Sequence, residues 1–206
     1  AGNVVILSAE DSPGDTIKPR LVAAGANLEH IHFVDDMLLP GNHEKAPDIP
    51  TDLDLIEKYL EEVDARFWII DPIMAYLVGI DANKDQASRQ VLRKISKIAE
   101  KRNCAVVCMR HLNKGGNSKA LYRGNSSIAF FGHARMGLLV AEDPESPHYR
   151  VLACIKSNLG PKPQALRFAL GPQVLNLDGQ EHSVCRIGWL GACDYRPDDL
   201  LQPADN

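Results

Sequence analysis

Three observations in this 206-residue chain predict an α/β fold with a mostly parallel sheet flanked by helices. Apolar strand-like runs alternate with helical patterns through the first two-thirds, in the order β-α-β-α-β-α-β. Three of those runs, Val4–Ala9, Phe67–Ile70 and Ala105–Met109, are continuously apolar, as strands buried on both faces of a parallel sheet are. After about residue 134 helical patterns vanish. Short strands then follow one another through Gly/Pro turns, which predicts C-terminal antiparallel strands extending the sheet.

The elements follow in order. Val4–Ala9 is the first strand. A helix is expected from Gly14 or Asp15 to Ala24, with Pro19 near its first turn and Gly25 as a left-handed stop. Ile31–Val34 is the second strand, and Pro40–Pro50, with Pro40, Gly41, Pro47 and Pro50, reads as a loop. Asp52–Val63 sets Ile56, Tyr59, Leu60 and Val63 on one helical stripe. Phe67–Ile70 is the third strand. Asp85–Arg102 stripes Val91, Leu92, Ile95, Ile98 and Ala99, and its basic last turn, Lys101 and Arg102, suits a helix C-terminus. Ala105–Met109, Met136–Ala141, Val151–Ile155, Ala165–Leu170 and Val184–Trp189 complete the strands, and Tyr195 onward reads as a tail. The expected organisation is a core over residues 1–176 and a C-terminal strand and tail over 177–206.

Composition bounds the class. Hydrophobic residues make up 45% and charged residues 24%, an ordinary globular balance that excludes disordered, collagenous and coiled-coil chains. No apolar run approaches the ~20 residues of a membrane span, so no membrane association is expected. The five cysteines are odd in number and contain no CxxC pair, and they read as small buried hydrophobes of a reducing, cytoplasmic setting rather than a zinc site. Net charge is -4, but it is segregated. Residues 1–100 carry 18 acids and 10 bases, whereas residues 101–177 carry 3 acids and 11 bases. Such a basic block points to a phosphate-rich partner, nucleotide or nucleic acid.

In an open parallel sheet, ligands bind beyond the carboxyl ends of the strands. There the sequence places Ser8-Ala9-Glu10-Asp11, Asp71-Pro72 and Arg110-His111-Leu112-Asn113-Lys114-Gly115-Gly116. Phe67–Asp71 has the form of a Walker B strand, whose carboxylate sits at the mouth of a rigid sheet and orders Mg²⁺. Glu10 is placed to orient or deprotonate an attacking water, and Asp11 to N-cap the segment Ser12–Ala24. His111, Asn113 and Lys114 can each donate a hydrogen bond to a phosphate oxygen. Lys114, Lys119 and Arg123 lie on a flexible polar segment suited to nucleic acid. Arg135 and Lys156, at the start and end of later strands, carry charges that can reach a phosphate.

Leu7-Ser8-Ala9-Glu10-Asp11, Phe67–Asp71-Pro72, Arg110–Gly115, Arg123-Gly124-Asn125-Ser126-Ser127 and Arg135 occur in this order. Over about residues 4–170 the chain resembles the RecA-like ATPases of the RepA hexameric-helicase type. The resemblance implies a RecA-like sheet, ATP and Mg²⁺ as cofactors, a homo-oligomeric ring or filament, and single-stranded DNA as partner. It implies Glu10 as catalytic glutamate, Asp71 as Walker B aspartate, His111 as sensor, and Arg135, with Lys156 a second candidate, as the arginine reaching a neighbour's nucleotide.

The family's GxxxxGK[ST] loop is absent from the 206 residues. Without its backbone cradle and lysine, weak ATP binding and little hydrolysis are expected. With only Ala1-Gly2-Asn3 before Val4, the chain reads as a domain whose first βα unit is cut away, either supplied upstream or missing from a truncated frame. Two other readings stand beside this one. One is a non-enzymatic RecA-like module binding nucleic acid or protein. The other is a receiver-like domain with Asp71 as phosphoacceptor, which the length and the strand-rich C-terminal third disfavour.

Overall fold

A computed structural model describes residues 2–34, 37–39, 43–45, 47–79, 85–111 and 128–201. The chain divides into two compact units. The first holds a four-stranded parallel sheet of β1 (Asn3–Ser8), β2 (Ile31–Phe33), β5 (Ala65–Asp71) and β6 (Ala105–Cys108), in the order β2-β1-β5-β6. The helices α2 (Ile49–Glu62), α3 (Asp85–Arg102) and α4 (Ile128–His133) belong to the same unit. A short hairpin, β3 (Met37–Leu39) with β4 (His43–Lys45), interrupts the expected Pro40–Pro50 loop.

Each element follows from its residues. Before β2, the predicted first helix is a π-helical turn, Pro13–Ile17, running into α1 (Lys18–Ala23). Gly25 ends it at φ 76°, a backbone angle that a side chain disfavours. In α2, Pro50 occupies the first turn, where no amide partner is lost. Asp64 and Asn103 follow α2 and α3 with φ of 47° and 48°, the left-handed stop that Asp and Asn tolerate. Cys104 N–H then reaches back to Ala99 O at 2.9 Å, and the chain enters β6.

The core of this unit gathers Val5 and Leu7 of β1, Trp68 and Ile70 of β5, Leu53, Ile56 and Leu60 of α2, and Val91, Leu92, Ile95 and Ile98 of α3. Trp68, Leu7, Ile56 and Ile70 have no exposed surface. Burying each such side chain stabilises the fold by about 1.5–3 kcal/mol. One expectation changes here. The run Ala105–Met109 reads as a strand buried on both faces, but β6 lies at the edge of the sheet, with Val107 41% exposed.

The second unit holds most of α1 and four antiparallel strands, β7 (Met136–Glu142), β8 (Tyr149–Ser157), β9 (Ala165–Leu177) and β10 (Gln180–Cys193), in the order β10-β9-β8-β7. Among the described residues these strands pair with one another as a separate sheet; they do not extend the parallel one. The α/β class therefore holds, with the antiparallel strands set apart.

β9 and β10 form one long hairpin around Asp178-Gly179, both at positive φ, the geometry of a two-residue hairpin turn. The expected division at 176/177 falls within β9, before this turn. One face of the sheet buries Leu139, Val151, Ala153 and Ala165. The register puts Leu138, Val140, Leu166, Leu170, Ile187 and Trp189 on the other face, all exposed.

Contacts hold the first residues of the expected tail. Tyr195 Oη donates to Asp143 Oδ1 at 2.8 Å, and Leu200 is buried. Asp143, itself buried, also accepts the amides of Glu145 and Ser146 and pairs with Arg167 at 2.6 Å. Burial by itself would raise the Asp143 carboxyl. Tyr195, the two amides and Arg167 outweigh it and hold the group below the usual carboxylate range.

Candidate nucleotide site at the strand ends

Parallel pairing fixes the geometry of the strand-end site. Ser8 and Asp71 are register partners on β1 and β5, and Ala9 N–H donates to Asp71 O at 2.9 Å. Met109 N–H donates to Ile70 O at 2.9 Å, and Ile73 N–H returns to Met109 O at 3.1 Å. The ends of β1, β5 and β6 are thus laced at one edge of the sheet, where Glu10, Asp71 and His111 converge. His111 Nε2 lies 2.9 Å from Glu10 Oε1 and 3.1 Å from Oε2, bridging the outer two of the three strands. The Asp71–Pro72 peptide is cis, and the chain continues as a short 3₁₀ turn, Ile73–Tyr76.

Electrostatics mark Asp71. Burial raises its carboxyl above the usual value, the charges of Glu10 and Asp11 raise it further, and His111 opposes them. Asp11 was expected to cap the following segment, but the N-cap position is Ser12, which makes no side-chain capping bond. The Asp11 charge instead acts on Asp71. Next to His111, the Arg110 guanidinium stacks over the Phe130 ring of α4 at 5.0 Å, and burial pulls its pKa down. Sequence reasoning assigned Arg110 no role, since its stacking partner lies twenty residues away.

Three like-charged carboxylates at the mouth of a sheet suit a hard cation that takes oxygen ligands. Among the described residues no group of three or more His, Cys, Asp or Glu is arranged to hold a metal by itself. Mg²⁺ keeps water and binds through one or two carboxylates together with substrate phosphates. Asp71 is the residue that would hold it.

Arg135 and Lys156 belong to the second unit. Arg135 precedes β7 in the second unit, is exposed, and accepts Asn158 N–H on its carbonyl at 2.9 Å. Lys156 lies on β8 opposite Gly137. Asn113, Lys114, Lys119 and Arg123 lie outside the described residues. No described helix is long and apolar enough to cross a membrane.

A family model described as an AAA domain matches residues 1–117, more than half of the chain. The matched stretch contains all three strand-end positions, Glu10, Asp71 and His111. A search of curated proteins gave no match.

Proposed function

The chain belongs to the AAA-domain family, whose members are ATPases of the P-loop type, and from that premise we propose that it is a RecA-like ATPase domain of the RepA hexameric-helicase type. In the assembled protein, ATP hydrolysis would drive movement on single-stranded DNA during replication or repair. The observation that carries this reading is the convergence of Glu10, Asp71 and His111 on one edge of a parallel sheet of order β2-β1-β5-β6. Mg²⁺ when bound supplies charge neutralisation at the phosphates. Asp71 orients that ion, Glu10 positions and deprotonates the attacking water, and His111 senses the terminal phosphate. Arg135 acts on a neighbouring subunit's nucleotide, with Lys156 as the second candidate, and Asn113 and Lys114 contact phosphate. Lys114, Lys119 and Arg123 contact DNA.

The family's phosphate-cradle motif, GxxxxGK[ST], does not occur in the 206 residues. Without that cradle, nucleotide affinity should be low. Calorimetry tests it directly. Mg²⁺-ATP should bind the 206-residue chain weakly or not at all, and micromolar binding would overturn the account of the missing cradle. In a protein that carries the loop, Glu10→Gln should abolish turnover while sparing ATP binding. Wild-type turnover in that variant would remove Glu10 from the mechanism.

The absent cradle also favours a second reading, in which the chain is a non-enzymatic RecA-like module that binds nucleic acid or protein. DNA binding that is indifferent to ATP and Mg²⁺ would support it. The receiver-like alternative predicts labelling of Asp71 by acetyl phosphate.

A further inference from the structure

The exposed side of α3 is a cationic ridge that the strand-end site does not use. Arg89, Arg93, Lys97 and Lys101 recur every fourth residue, with Lys94 beside them, and all five are exposed. On a helix this spacing stacks them along one side, each step rising about 6 Å. Val91, Leu92, Ile95 and Ile98 fix the opposite side in the core, so the helix cannot roll to hide the ridge. Between Arg89 and Arg102, Glu100 is the one acid.

The two ends of the ridge differ. At the C-terminal end, Lys101 pairs with Glu57 at 2.6 Å, and Arg102 pairs with Glu57 at 2.8 Å and Glu61 at 2.5 Å, so α2 neutralises that end. Arg93, Lys94 and Lys97 have no acidic partner among the described residues. On the flank, His133 of α4 sets Nε2 2.7 Å from Ser96 Oγ and adds a polar ring to the same surface.

We propose that this ridge binds the phosphate backbone of a nucleic acid, without reading its sequence. The pattern selects among polyanions. None of the exposed large hydrophobic residues lies on α3, so the ridge has no apolar anchor for a bilayer and none of the aromatic centre typical of a protein interface. A row of solvated cations at short regular intervals suits a line of phosphates, each contact releasing a condensed counterion. Its residues are other than Lys114, Lys119 and Arg123. It stands on α3 alone, so its failure would leave the strand-end reading untouched.

The test uses the 206-residue chain and a labelled mixed-sequence oligonucleotide, single- and double-stranded, in an anisotropy titration between roughly 50 and 200 mM salt. Arg93→Glu with Lys97→Glu should weaken binding at least about tenfold at the lower salt and flatten the slope of log affinity against log salt by about one to two. Arg93→Gln with Lys97→Gln should shift both in the same direction by less, and carries the test if the Glu pair fails to fold. The charge-matched pair Lys162→Glu with Arg186→Glu, both exposed residues of the second unit, should change affinity by less than about threefold. Equal losses in the two Glu pairs, or an unchanged salt slope, would overturn the proposal. So would labelled poly-glutamate that binds as tightly as the oligonucleotide and loses affinity with the same variants, an outcome that would assign the ridge to an acidic protein.

Discussion

Asp71 and Asp143 are both carboxylates in partly or fully buried positions, yet their neighbours shift them in opposite directions. Burial and the charges of Glu10 and Asp11 raise Asp71, so its ionised form costs stability. The sign follows from linkage. A carboxyl raised in the folded state favours folding below its ordinary range, and that contribution is lost as pH rises through the raised value. Asp71→Asn should therefore raise Tm near neutral pH by about one to a few degrees without Mg²⁺. Millimolar Mg²⁺ should raise the Tm of the parent and not of this variant. Equal responses to Mg²⁺ in thermal scans would remove Asp71 from the cation site. Asp143 is held low by its partners, so its contribution is present above the ordinary carboxylate range and is lost as pH falls through the lowered value. Tyr195→Phe removes one of its donors and should cost about 1–2 kcal/mol in urea unfolding. An unchanged midpoint would show that Tyr195 does not pin the segment 195–201.

Among the elements, the helices were the most legible in the sequence. Asp85–Arg102 is α3 to the residue, because its apolar stripe is long and Asn103 marks the stop. The same reasoning applies to α2, where Ile56 and Leu60 face the core. Ile56→Ala should cost about 2–5 kcal/mol. A smaller loss in chemical denaturation would mean that the surrounding side chains collapse into the space. The small hairpin β3–β4 was not legible, because Pro and Gly flank segments of only three residues each. The length of β9 and β10 was also missed. Their outer halves mix polar and apolar residues, and the signal that could have joined them is the pair Asp178-Gly179.

For the whole molecule, continuous apolar runs identified the parallel sheet, and reading the strand ends together grouped Glu10, Asp71 and His111, which stand near one another at its edge. Strand order was beyond the sequence, because pairing between β1 and β5 spans some sixty residues and depends on tertiary packing. For the same reason, β6 reads as a central strand although it stands at an edge. The split between sheets was hidden too, since antiparallel patterning looks alike whether strands join a parallel sheet or pair among themselves. Charge segregation was visible by counting, but the cations of α3 were masked within an acidic half and emerged only once its stripe was fixed against the core.

The chain has two tryptophans, and the fold gives one to each unit. Trp68 is fully buried in the parallel-sheet core, whereas Trp189 stands 58% exposed against Phe168 on the uncovered apolar face. The protein therefore carries two optical reporters of unlike environment. Acrylamide should quench Trp189 and spare Trp68, so the Trp68→Phe and Trp189→Phe variants separate the emission of the two units. Anything that comes to cover the apolar face will announce itself as a blue shift in one tryptophan alone.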